Sequence, residues 1–158
     1  DMAEPNSDDL IARESTRLLC AAGKAPQTSL DPRQLREWIP NYEYGGKAFG
    51  FPGASRQDSF EPYLTARESI LPHIQRYSPI EHASNDDPLL FMEFPAQDKA
   101  PISGQEQTDP AHSAVSGLML QRKLQSLGVK SELRYRGDGK TGHAGMQEFL
   151  TQELTQGE

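Results

Sequence analysis

The sequence predicts an α/β fold built on a small parallel sheet of about three strands with flanking helices. Two observations carry this. Short apolar runs over 18–23, 89–94 and 129–135 are separated by segments with helical spacing and helix-start signals. Strands that alternate with helices close as right-handed βαβ crossovers, which makes neighbouring strands parallel.

Residues 1–15 are polar and acidic, with Pro5 and Asp8-Asp9, and read as a connector. The run Leu18-Leu19-Cys20-Ala21-Ala22-Gly23 has the look of a strand buried on both faces. Its cysteine, the chain's only one, excludes an internal disulfide and reads as a buried, inert thiol. In the long segment 24–87, Asp31-Pro32 supplies a helix cap and a first helical residue, with Leu35 and Trp38 on one face. A second helix fits 59–71: Phe60, Leu64 and Leu71 share a face, and Pro72 stops or kinks it. Ile74, Tyr77 and Ile80 continue a broken apolar stripe.

Leu89 to Phe94, between Pro88 and Pro95, is the second strand, and 96–108 is a polar loop. The next helix opens at Asp109-Pro110 or at Ser113. Val115, Leu118, Met119, Leu120, Leu124 and Leu127 form its apolar face, and Gly128 closes it. From Val129 to Tyr135, Ser131, Leu133 and Tyr135 alternate with Lys130, Glu132 and Arg134, a strand with one wetter face as at a sheet edge. A Gly-rich loop over 137–145 leads to a last helix carrying Met146, Phe149, Leu150 and Leu154. Three strands alone leave the first with an unpaired edge, so further strands are expected on its N-terminal side.

The 158 residues suffice for one ordinary domain and are too few for two well-buried ones. A formal net charge of −7 argues against a nucleic-acid partner and an anionic membrane surface. No stretch approaches the apolar length of a membrane span. The opening Asp1-Met2-Ala3-Glu4-Pro5 does not read as a native start, which leaves room for a preceding signal or half-domain and leaves the compartment open.

Two loops at expected carboxyl ends of strands carry chemistry. One holds Thr108-Asp109-Pro110-Ala111-His112-Ser113, the other Gly137-Asp138-Gly139-Lys140-Thr141-Gly142-His143-Ala144-Gly145. An acid, a helix, a strand and then a histidine is the tail of the order Ser…Asp…His. In such a triad the histidine takes the nucleophile's proton, and the carboxylate fixes its tautomer and stabilises the imidazolium.

The stretch from Pro88 to Leu150 resembles the C-terminal end of α/β-hydrolase esterases and lipases. The likeness rests on Leu127-Gly128-Val129, then Leu133-Arg134-Tyr135, then Gly142-His143-Ala144-Gly145. Upstream, Asp8-Asp9 and Ala12-Arg13-Glu14-Ser15-Thr16-Arg17 resemble the link between the nucleophile helix and the next strand. The resemblance implies that 1–158 is a single incomplete α/β-hydrolase domain, the C-terminal part of that fold, with 24–87 as a helical cap-like insert. It implies a carboxylic ester hydrolase acting on a small-molecule ester, with Asp109 as the triad acid, His143 as the base, and no cofactor or metal. It further implies that the chain pairs with an N-terminal half or self-associates. A non-catalytic binding or interaction protein of the same fold, or an inactive fragment, is the alternative.

The chain departs from the family in having no Gly-x-Ser-x-Gly elbow and no His-Gly-Gly oxyanion motif. The serine nucleophile is therefore absent from it. Asp98 is a rival acid; Asp109 is preferred because it directly precedes the helix, although Asp before Pro is also a common helix cap. His112 reads as a solvated helix-start residue within reach of the site. His82, Asp86 and Asp87 match no metal-ligand template. Gly139-Lys140-Thr141 resembles the end of a phosphate loop but lacks the upstream glycine, since Arg134 stands there. Trp38, Tyr42, Tyr44, Phe49, Phe51, Phe60 and Tyr63 would line a pocket if the insert is a cap, and would pack a small subdomain if it is not.

Overall fold

The computed structural model describes residues 2–139 and 142–155. Three strands, β1 (Cys20–Lys24), β2 (Leu89–Phe94) and β3 (Ser131–Tyr135), form one all-parallel sheet in the order β1-β2-β3. The register sets Gly23 beside Met92 and Met92 beside Leu133. Between β1 and β2 lie α1 (Pro32–Trp38), α2 (Arg56–Thr65), α3 (Arg67–Tyr77) and α4 (Pro79–His82). Helix α5 (Ala114–Ser126) joins β2 to β3, and α6 (Met146–Thr155) follows β3.

Strand parity decides which side each residue serves. On β2, Met92 and Phe94 enter a core with Val115, Leu120 and Leu124 of α5, Leu133 of β3, and Leu35, Trp38, Phe60, Tyr63 and Ile74 of the insert. The helices of 24–87 and the sheet thus share one core. Phe91 points the other way, where Phe149 of α6 stacks on it at 5.1 Å between centroids. Helices therefore cover both faces of the sheet.

Local signals read in the sequence operate here. Asp31 caps α1 by accepting from the Arg33 and Gln34 N–H groups at 2.9 and 3.3 Å. Gly128 ends α5 with φ +79°, where a side chain is strained. The β2 bounds are those expected, and β3, starting at Ser131 rather than Val129, is an edge strand.

Other expectations need correction. Leu18 and Leu19 are 67% and 74% exposed and precede β1, which is only half-buried, as is Cys20. Among the described residues, β1 pairs with β2 alone, so its outer edge has no strand partner. The helix expected over 59–71 is two helices. The first starts at Arg56, because Ser55 and Asp58 form a capping box, and they meet at Ala66. Pro72 lies inside α3 and does not end it. Both Pro62 and Pro72 are exposed, so water can serve the carbonyls they leave unbonded. Tyr77 faces solvent at 59%, while Ile74 and Ile80 are buried.

Candidate functional site

The loops after β2 and β3 meet at one rim of the sheet. Gly137 lies so close to the Asp98 carbonyl that a Cβ there would stand 1.7 Å from its oxygen. Arg136 also pairs with the Asp98 carboxylate at 3.2 Å. The β2 loop is held by amide side chains. Asn41 donates to the Gln107 carbonyl at 2.8 Å and accepts from its N–H at 3.0 Å. The Gln107 side-chain oxygen accepts from Gln97 and from Ser113, each at 3.2 Å. This loop borders an open cleft of about 550 Å³, lined in part by the exposed residues Asp98, Lys99, Thr108, Asp109 and His112.

Asp109 does not cap a helix. It precedes a single 3₁₀ turn, Pro110–His112, and makes no side-chain cap bond. The cap of α5 is Ser113, whose hydroxyl accepts from the Val115 N–H at 3.1 Å. The Asp109 carboxylate instead meets His112, with Nδ1 at 2.9 Å from Oδ2. Both side chains are well exposed.

His143 lies on the sheet's α6 face. Its ring lies edge-on between Phe91 and Phe149, at 6.3 and 5.2 Å. Its Nδ1–H donates to Glu132, at 2.9 and 3.0 Å from the two oxygens. Glu132 sits beside Phe91 in the register and so faces α6. On the other side, Nε2 is 3.8 Å from Glu153. Arg134 donates to the His143 carbonyl at 3.2 Å. The side chain is 11% exposed. The hydrogen bond to Glu132 raises the imidazole pKa above its ordinary value; burial opposes this, and the Glu132, Glu153 and Glu148 charges add to it.

Asp109 and His143 share no hydrogen bond among those of the described residues; their carboxylate and imidazole partners are His112 and Glu132. Glu132 was not singled out by sequence reasoning. Its parity on β3 was readable, but the partner facing it was not. Of the other positions considered, His82 Nε2 lies 2.7 Å from the Arg76 carbonyl, and Asp86 pairs with Arg17 at 2.5 Å. Lys140 and Thr141 lie outside the described residues. Among the described residues, no group of three or more His, Cys, Asp or Glu is arranged to hold a metal ion. No helix there is long and apolar enough to cross a membrane.

Comparison with protein-family models, curated proteins and solved structures finds no match to this chain.

Proposed function

We propose that the chain is the C-terminal part of an α/β-hydrolase-fold carboxylic ester hydrolase, which uses a Ser-Asp-His triad and to which the chain contributes the acid and the histidine. The single observation that carries the reading is the junction of two loops. Strands β2 and β3 are parallel neighbours, the loop after β2 holds Asp109, the loop after β3 leads to His143, and Gly137 packs on Asp98 where the loops meet. On chain order Asp109 would orient and His143 would be general base, then acid, which requires the two side chains to exchange their partners His112 and Glu132 for one another in the complete enzyme. The serine and the oxyanion donors would come from strands added at the free edge of β1. In the complete enzyme, His143→Ala should abolish hydrolysis of p-nitrophenyl acetate while circular dichroism stays unchanged. Retained turnover would end the assignment.

A second reading, a non-catalytic binding or interaction protein of this fold, draws support from the ring's surroundings. Glu153 stands near Nε2, the atom a nucleophile's hydroxyl would need to reach. The coding sequence upstream of Asp1 discriminates: a Gly-x-Ser-x-Gly elbow after a strand favours the enzyme, and its absence favours the binding protein. Size-exclusion chromatography addresses self-association through β1, with a clean monomer counting against it.

A further inference from the structure

We propose that Asp109 and His112 form a general-base dyad, and that the cleft beyond β2 takes a small carboxylic ester which this dyad hydrolyses with water, without a serine. The proposal rests on the esterase reading only for the class of substrate.

Open parallel sheets bind ligands beyond the carboxyl ends of their strands. Phe94 ends the central strand, and the cleft follows directly from it. His112 Nδ1 lies 2.9 Å from Asp109 Oδ2, the relation that fixes a working ring's tautomer and leaves Nε2 to accept a proton. Among the described residues, Nε2 of His112 bears no hydrogen bond. The pair has no capping role, since Ser113 performs it. An exposed side-chain contact of this kind also adds little to stability. The frame beneath is firm: Ser113 and Ala114 are buried, and Asn41 and Gln107 tie the loop to the insert. Lys99 and Thr108 line the same cleft, and both side chains carry donors that could serve a carbonyl oxygen as it gains charge.

The step balances with water as the only co-reactant. Water oxygen bonds to the ester carbonyl carbon as one of its protons passes to His112 Nε2. The tetrahedral intermediate then breaks its bond to the alkoxy oxygen, which takes that proton back. A carboxylic acid and an alcohol leave, and His112 keeps its Nδ1–H, donated to the Asp109 carboxylate, throughout.

The test uses the 158-residue chain itself with p-nitrophenyl acetate. His112→Gln should lower kcat/KM about 100-fold, the contribution expected of a positioned base. His73→Gln, an exposed change on α3, should leave the rate unaltered. Asp109→Asn should lower the rate by a smaller factor and move the His112 ring ¹⁵N signals away from the Nδ1–H pattern. The wild-type rate should also fall in D₂O, because a proton moves in the transition state; direct attack by imidazole would leave it nearly constant. A wild-type rate no higher than background, a His112→Gln variant keeping half the rate or more, or no solvent isotope effect would each overturn the proposal. The esterase reading is judged separately by His143→Ala in the complete enzyme, so either can fail alone.

Discussion

Glu132 on β3 and His143 beyond it hold one another over the α6 face of the sheet, with Nδ1 of the imidazole 2.9 Å from Oε1 of the carboxylate. The contact ties the segment leading into α6 to an edge strand, and the rings of Phe91 and Phe149 close around it. Its strength depends on pH. The His143 pKa is raised in the folded chain, first by the hydrogen bond to Glu132. The stabilisation is therefore complete below the unfolded histidine value of about 6.5 and is lost as pH rises through the higher folded value. Urea unfolding midpoints of the wild type should fall over that window relative to Glu132→Gln. Parallel pH profiles for the two proteins would rule out the linkage. In NMR titrations, the His143 value should drop towards the ordinary one in Glu132→Gln.

The cap of α5 separates Ser113 from Asp109. Ser113→Ala removes the acceptor for the Val115 N–H and should cost about 1 kcal/mol. Asp109→Ala, at an exposed carboxylate with no cap bond, should stay within about 0.5 kcal/mol of wild type. Chemical denaturation of both variants checks this. A larger loss for Asp109→Ala would mean that the carboxylate has a structural task after all.

At Gly117, α5 packs tightly against the sheet. A Cβ there would lie 2.4 Å from Phe94 Cε2 and 2.7 Å from Leu133 Cδ1. Alanine favours a helix over glycine by about 1 kcal/mol. Overpacking a filled core costs about 1–3 kcal/mol, and both neighbours are themselves buried. The clash should win, so Gly117→Ala should lower Tm. A raised Tm would show that the sheet yields to the added methyl.

Asp31 joins two helices of the insert. It caps α1, and its carboxylate takes Arg67 Nε at 2.9 Å and Nη2 at 2.5 Å. Burial pushes the Asp31 carboxyl up. The hydrogen bonds from Arg67 and from the Gln34 and Arg33 N–H groups outweigh this and hold its pKa below the ordinary value. Its stabilisation is therefore present above about pH 3.9 and fades as pH falls through the lowered value. Asp31→Asn keeps a capping oxygen but loses the charge opposite Arg67. The expected loss at pH 7 is on the order of 3 kcal/mol, as for a mostly buried pair broken on one side. A loss under about 1 kcal/mol in urea unfolding would place the pair with solvated surface bridges.

What could be read from the sequence was what neighbouring residues decide. Asp31-Pro32 starts a helix, Gly128 ends one, Leu89 to Phe94 is a strand, and Glu132 and Leu133 lie on opposite faces of β3. These follow from backbone preferences and side-chain periodicity within a few residues, and their order implied the parallel sheet. Tertiary structure decided which apolar residues are covered and which charges meet. Leu18 and Leu19 are as apolar as any core leucine, yet exposed, because they precede β1 at the edge of the sheet, where among the described residues its only strand partner is β2. The partner of Asp109 is His112, and that of His143 is Glu132, because the paths of the two loops and the seating of Phe149 on Phe91 set those distances. Contacts between residues apart in the chain depend on how whole elements fill space, and that information is spread over the core rather than held in a motif.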